Sequence, residues 1–204
     1  MIRTSALLLS ALMIAAPVAA QAPAANPAAA ASRVAAGTYK VDPDHTQVVW
    51  SLDHFGFSPL YGMFGQITGT LQIDPARLQN ARLDITIPMS GLSVTSPGFA
   101  QHLATPDLLD TAKFPTARFV STSVRPQGTN AVVTGNLTLH GVTKPVTLQA
   151  KFYGAGPNPR SQAQTVGFTA TTTIKRSDWG LGYAVPAVGD NTELRITAAF
   201  EKQG

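Results

Sequence analysis

The 204-residue chain contains no cysteine. It can therefore form no disulfide bond, and it has no thiol that could serve as a nucleophile or as a metal ligand. The fold must be held together by its hydrophobic core alone. A chain of this length is long enough for that, because it buries most of the surface that its unfolded state exposes.

Charged residues are also scarce. They make up 13% of the chain, with 15 Lys and Arg against 11 Asp and Glu, and they are scattered rather than grouped. Nucleic-acid binding requires a basic patch or stripe. We therefore expect no nucleic-acid partner.

The chain has no apolar run of the roughly 20 residues that a membrane-spanning helix needs. The run at 6–16 is shorter, follows Arg3, and is followed by the small residues Val18-Ala19-Ala20. This is the layout of a secretory signal peptide. We predict that residues 1–20 are a signal peptide cleaved after Ala20, and that the mature protein has no stable membrane insertion.

Residues 21–37 are rich in Ala and Pro and lack a hydrophobic period, so we expect a mobile linker there. The remaining residues, 38–204, are of ordinary single-domain length.

Apolar and polar residues alternate in most of this domain. Alternation with a period of two indicates strands with one apolar face, and the polar positions are rich in Thr, which favours strands. His140-Gly141 predicts a tight hairpin, and 154–161, with two prolines, predicts a longer loop. The eight predicted strands lie within 47–53, 66–73, 81–87, 117–124, 133–139, 146–153, 168–175 and 193–201.

One segment departs from this alternation. Between residues 96 and 114, Phe99, Leu103 and Leu108 recur at roughly helical spacing, which predicts one or two short helices. Thr105 would be an N-cap and Pro106 a first-turn residue. A further helical turn is predicted at 177–182.

These elements predict an all-β fold, an antiparallel eight-stranded β-barrel with a short helical insertion. Closure of the barrel would remove the exposed edges of an open sheet. The interior of such a barrel is either filled with side chains or holds one small ligand. Gly69 and Gly135 interrupt the apolar faces, which fits either a cavity or a bend in the barrel.

Residues that could carry chemistry are few. His45 and His54 with Asp42 or Asp44 could form a zinc site, but histidines at strand ends more often bond to backbone. The sequence contains no G-x-S-x-G elbow and no Gly-rich phosphate loop that leads into a helix. We therefore predict no catalytic set, no metal and no cofactor.

Several blocks of the mature chain together resemble the YceI-like family of periplasmic polyisoprenoid-binding proteins. The resemblance covers nearly all of 39–201, and its most specific block is 135–146. Its blocks, in order, are Tyr39-Lys40-Val41-Asp42 with His45, His54-Phe55-Gly56, Gly62-Met63-Phe64, Gly69-Thr70-Leu71, His102-Leu103 with Asp110 and Phe114-Pro115, Gly135-Asn136-Leu137-Thr138-Leu139-His140-Gly141-Val142-Thr143-Lys144-Pro145-Val146, Arg176-Ser177-Asp178-Trp179-Gly180, and Gly189-Asp190.

The resemblance implies an extended lipocalin-like barrel with a long apolar pore for an isoprenoid or fatty chain, a periplasmic location and a possible homodimer. Where the family usually carries an Arg-Asp pair before the His-Leu, this chain has Phe99-Ala100-Gln101. This difference implies an altered mouth or a different ligand.

Alternation and the resemblance together select the residues expected to contact the ligand. Eleven come from the apolar strand faces, and three come from the helical segment at the mouth. They are Trp50, Leu52, Ile67, Leu71, Leu83, Ile85, Phe119, Leu137, Leu148, Phe168 and Ile174, with Phe99, His102 and Leu103 at the mouth.

The expected function is non-catalytic binding, with transport or sequestration, of a polyisoprenoid or another long-chain lipid. One alternative is a periplasmic stress-response or interaction module whose barrel is filled with side chains. The other is an enzyme acting on a small lipophile, which would require His45, His102 and Asp110 to converge in the pore.

Overall fold

The computed structural model describes residues 31–203, so the predicted signal peptide and linker residues 21–30 lie outside the described part of the chain. Eleven strand segments form one antiparallel sheet. They are β1 Gly37–Val41, β2 Gln47–His54, β3 Ser58–Phe64, β4 Thr68–Ile73, β5 Arg82–Pro88, β6 Leu92–Ser93, β7 Thr116–Gln127, β8 Asn130–Leu139, β9 Val142–Pro157, β10 Gln164–Lys175 and β11 Asn191–Lys202. One α-helix, α1 (Pro97–Leu103), and three 3₁₀ turns, Pro75–Asn80, Met89–Gly91 and Arg176–Trp179, complete the described structure.

The eleven segments form eight barrel strands, because three strands are each interrupted once. The first interrupted strand consists of β1 and β2, which both pair with β11. The second consists of β3 and β4, with β4 paired to β1 and β3 paired to β2. The third consists of β5 and β6, with β5 paired to β4 and β6 paired to β3. Strands β7 to β11 continue the order, and pairing of β1 with β11 closes the barrel. The predicted eight-stranded antiparallel barrel with a short helical insertion is confirmed.

Local contacts satisfy the backbone at the interruptions. Between β1 and β2, the Thr46 hydroxyl accepts a hydrogen bond from Ala199 N at 3.0 Å and donates one to Ala199 O at 3.2 Å. At the next break, Gly65 N donates to Gly91 O at 3.0 Å. A Cβ on Gly91 would lie 2.2 Å from the Gly65 carbonyl oxygen, so only glycine permits this approach.

Three local predictions were wrong. Strands β1 and β3 were missed, because β1 has only five residues and β3 contains Pro59 and Gly62, which weaken a strand pattern. The loop predicted at 154–161 begins later, since β9 continues to Pro157 and pairs with β10. The helix is capped by the Ser96 hydroxyl, which accepts from Phe99 N, and Thr105 lies beyond its end.

The predicted hairpin at His140-Gly141 is present. Both residues have positive φ, 50° and 75°, as a two-residue type I′ turn requires. The predicted helical turn near 177–182 is the 3₁₀ turn Arg176–Trp179.

The interior of the barrel contains two groups of buried side chains. One group surrounds Tyr39, Ile67 and Phe200, and the other surrounds Phe119 and Trp179. The end of the predicted linker contacts the first group through Val34, and the Tyr39 hydroxyl donates to Ala35 O at 2.8 Å. Residues 31–36 thus lie against one end of the barrel.

Candidate ligand-binding site

The barrel encloses two neighbouring cavities along its axis. The first, of about 350 Å³, is called the wide cavity, and the second, of about 230 Å³, is called the narrow cavity. Four residues contribute to the walls of both cavities: Val48, Ile87, Leu137 and Leu194. We call these four residues the waist, because they form the boundary at which the two cavities meet.

The wide cavity is almost wholly apolar. Phe168 lies between two other aromatic rings, with ring centroids 5.7 Å from Phe152 and 6.2 Å from Phe200, both in edge-to-face arrangements. Polar wall residues are few, and the hydroxyl of one of them, Thr46, is bonded to the backbone. The N-terminal residues Ala31 and Val34 also line this cavity.

Two glycines make room for aromatic side chains in the barrel. A Cβ on Gly135 would lie 2.3 Å from Cζ of Phe119, and a Cβ on Gly62 would lie 2.2 Å from Cζ2 of Trp50. Each glycine is therefore the surface on which an aromatic ring rests. Gly69 and Gly135 are the two glycines that interrupt the apolar strand faces in the sequence. Gly135 accommodates the ring of Phe119, whereas Gly69 lies close to the backbone of β5, where a Cβ would be only 2.2 Å from the Asp84 carbonyl oxygen.

The narrow cavity is bordered by α1, by the loop after it and by the loop 181–190. The buried guanidinium of Arg176 holds this last loop by donating to the carbonyl oxygens of Leu181, Tyr183, Val188 and Gly189. Burial lowers the pKa of Arg176. The arginine thus fixes one wall of the cavity through backbone hydrogen bonds.

All fourteen residues selected from the sequence line one of the two cavities. Their role as ligand contacts stays a prediction. Ile67, Leu71, Leu83, Ile85, Phe119, Leu148 and Phe168 line the wide cavity, Trp50, Leu52, Phe99, His102, Leu103 and Ile174 line the narrow cavity, and Leu137 lies at the waist.

Sequence reasoning missed other wall residues. The waist residues Val48, Ile87 and Leu194 lie on the apolar faces of predicted strands, so the same alternation could have selected them. Arg176 and Thr192 gave no such signal, because a polar residue at a strand end is normally expected to face solvent.

The residues considered for metal binding and catalysis do not assemble into a site. His45 lies in the break before β2 and its Nδ1 is 2.6 Å from Asp42 Oδ2, whereas His54 lies at the far end of β2 beside the narrow cavity. An eight-residue strand spans roughly 25 Å, so the two histidines cannot share one metal ion. Residues 31–203 contain no group of three His, Asp or Glu side chains placed to hold a metal ion.

The same separation applies to the enzyme alternative. His102 lines the narrow cavity, but the side chain of His45 is 72% exposed near the opposite end of the barrel. Hydrogen bonding to Asp42 raises the pKa of His45. His45, His102 and Asp110 therefore do not converge in the pore.

Ion pairs lie on the outer surface. Arg118 on β7 forms a bidentate ion pair with Asp84 on β5, with N–O distances of 2.8 and 2.5 Å, and this pair lowers the pKa of Asp84.

Among residues 31–203, no helix is long and apolar enough to span a membrane.

Solved structures share this barrel. Burkholderia cenocepacia BcnA is similar with a TM-score of 0.70 and 24% identity, over 78% of this chain and 98% of the other. A polyisoprenoid binding domain from Saccharophagus degradans, implicated in plant cell wall breakdown, has a TM-score of 0.64 at 12% identity, over 81% of this chain and 98% of that one. At these identities the likeness concerns the fold.

Sequence relatives are closer. A UPF0312 protein of Pseudomonas putida is 38% identical over 176 residues, which are 85% of this chain and 91% of the relative. Protein YceI of Salmonella arizonae is 37% identical over 170 residues, 82% of this chain and 88% of the relative. The YceI-like domain matches residues 39–200. The chain therefore belongs to the YceI-like family.

Proposed function

We propose that this protein binds one long-chain lipid, a polyisoprenoid or a similar chain, in its pore and carries or sequesters it without chemical turnover. The observation that carries this proposal is the pair of adjoining cavities in a closed barrel, with walls that are almost entirely apolar. An apolar cavity of about 150 Å³ is known to stay dry and to bind a benzene molecule. The wide cavity alone is more than twice that size.

The cavity volumes set the length of chain that fits. By the benzene comparison, a carbon atom takes about 25 Å³, so the wide cavity holds about fourteen carbons and the narrow cavity about nine. At about 0.8 kcal/mol per buried CH₂, filling the wide cavity from water is worth about 11 kcal/mol before the cost of association. That cost removes several kcal/mol, which leaves affinity in the micromolar range or tighter when both cavities are filled.

Two further observations support a lipid ligand. The structural neighbour from Saccharophagus degradans is named as a polyisoprenoid binding domain and has the same fold. The separation of His45 from His102 also argues against the enzyme alternative, which required His45, His102 and Asp110 to converge in the pore. Because a membrane offers a chain the same burial energy, selectivity must come from the length of the pore and from its polar contacts.

The place of action that we propose is the periplasm, on the basis of the signal-peptide pattern in residues 1–20. Periplasmic extraction of a tagged protein, followed by N-terminal sequencing, tests this. A mature chain beginning at Gln21 supports export, and recovery of an uncleaved chain from the cytoplasm contradicts it. Light scattering of the same preparation tests the homodimer.

The binding function is tested by native mass spectrometry of protein purified gently from its host, with analysis of an organic extract. A stoichiometric lipophilic species supports the proposal and identifies the lipid class. A protein that carries no lipid and takes up no isoprenoid or fatty chain offered to it would contradict the proposal and favour action through a protein partner. Chemical conversion of an offered lipid would contradict the absence of turnover.

A further inference from the structure

Only three buried side-chain polar atoms in the described part of the chain have no hydrogen-bond partner: Trp50 Nε1, Thr192 Oγ1 and His140 Nε2. Trp50 and Thr192 are each 8% exposed, and both line the narrow cavity. Buried polar groups in folded proteins almost always have a partner. Two unpaired groups in one apolar cavity therefore require an explanation.

Strand geometry places both groups in the same part of the cavity. Trp50 on β2 is paired with Leu194 on β11, and Thr192 precedes Leu194 by two residues, so its side chain lies on the same face. Trp50 and Thr192 are therefore diagonal neighbours, roughly 7 Å apart at their Cα atoms. The indole of Trp50 rests on Gly62, and the residue forms part of the wall of the narrow cavity.

The chemistry of these groups selects the partner that is missing. The indole N–H of Trp50 can only donate a hydrogen bond, and the Thr192 hydroxyl can donate one. Arg176 lines the same cavity but donates to backbone carbonyls. The described wall of the narrow cavity includes no Asp or Glu, so it offers donors and positive charge without a carboxylate acceptor.

The wide cavity differs in this respect. None of the three unpaired buried polar atoms found in residues 31–203 belongs to a residue of its wall. The hydroxyl of its buried Thr46 is already bonded to Ala199. The two ends of the pore are therefore chemically distinct.

We propose that the narrow cavity is a head-group site, in which Trp50 Nε1 and Thr192 Oγ1 donate hydrogen bonds to the oxygen of a lipid head group while the chain lies in the wide cavity. This inference rests on the proposed lipid-binding function and deepens it. The ligand class is a long-chain lipid with an oxygen acceptor, such as a carbonyl, at one end. A hydrocarbon chain without such an oxygen would leave both donors unpaired.

The test compares two probes with chains of equal length, methyl palmitate and hexadecane, offered together in equal amounts to the full chain. Retention is measured after buffer exchange by extraction and mass spectrometry. The wild-type protein should retain the ester over the alkane. Thr192→Val removes one donor while keeping the shape, and Trp50→Phe removes the other donor together with part of the ring system. Each should lower the preference for the ester about three- to tenfold.

Thr169→Val is the matched control, because Thr169 lines the wide cavity and the same change there should leave the preference intact. Thermal unfolding without ligand separates binding from structure. Replacing an unpaired buried donor with an apolar group of similar shape is close to neutral or stabilising. We therefore expect Thr192→Val to have an unchanged or higher Tm despite its weaker preference for the ester.

The possible outcomes distinguish this inference from the proposed function. Equal retention of ester and alkane by the wild-type protein, or a preference that survives both substitutions, would overturn the head-group site while leaving lipid binding in place. A protein that retains neither probe, nor any longer isoprenoid, would contradict the proposed function itself.

Discussion

Substitution of Leu137 by Trp tests whether the two cavities form one continuous binding site. Leu137 is 8% exposed and is one of the four waist residues that both cavities share. A larger ring at this point should close the passage, so that a chain lying in the wide cavity can no longer extend into the narrow cavity. The affinity of Leu137→Trp should therefore stop rising once the chain fills the wide cavity. The affinity of the wild-type protein should continue to rise for longer chains.

The magnitude follows from the volume that is lost. The narrow cavity holds about nine carbons by the benzene comparison, worth about 7 kcal/mol at about 0.8 kcal/mol per CH₂. A displaced tail still covers apolar surface at the barrel rim, so we expect at least about 2 kcal/mol of this to be lost, or about thirtyfold in affinity. Alkanes short enough for the wide cavity alone, which have no head group to place in the narrow cavity, should bind unchanged.

The assay measures retention of a series of n-alkanes of increasing chain length by extraction and mass spectrometry, so that chain length is tested without a head group. Asn136→Trp is the matched control, because Asn136 is exposed on the same strand and the new ring would point out of the barrel. Overpacking at Leu137 costs about 1–3 kcal/mol of stability, so circular dichroism must first show that the barrel is intact. Full affinity for the longest chains in folded Leu137→Trp would refute a continuous pore.

Three further predictions concern stability and titration. Gly135→Ala should cost about 1–3 kcal/mol and lower Tm by several degrees, because the new Cβ overlaps the Phe119 ring; calorimetry checks this, and an unchanged Tm would show that the ring has room to move. Arg176→Met should cost about 3 kcal/mol in urea unfolding and speed amide exchange across 181–190, since one buried and three partly buried carbonyl groups lose their donor. Asp42→Asn should lower the pKa of His45 in an NMR titration. Since that pKa is raised in the folded state, the pair stabilises the fold fully below the unfolded pKa of His45, and its contribution is lost as pH rises through the folded pKa; an unshifted His45 titration would contradict the pairing.

Much of the barrel could be predicted from the sequence, because a strand with one buried face must alternate apolar and polar residues. That rule placed Leu71, Phe168 and the other nine residues selected from the strands on the walls of the cavities. The rule fails where a segment is short or contains Pro and Gly, as in β1 and β3. In those places pairing with neighbouring strands supplies the stability that local propensity lacks.

The head-group site could not be predicted in this way. Trp50 was selected as an apolar residue, and nothing in the sequence shows that its Nε1 lacks a partner. Whether a buried donor is paired depends on atoms from β3, β11 and the loop 181–190, which are distant along the chain. The same holds for Arg176, whose polar side chain is buried only because four backbone carbonyls surround it.

The sequence by itself determined the strand faces, the tight hairpin at 140–141 and the absence of thiol chemistry, because each follows from the type and local spacing of residues. Only the tertiary structure decided that β1 and β11 close the barrel, that the interior is divided by a waist, and that its polar donors lie at one end. The physical reason is that closure, cavity shape and hydrogen-bond pairing are properties of surfaces assembled from several strands. Local alternation determines which way each side chain points, and packing between strands determines what it meets.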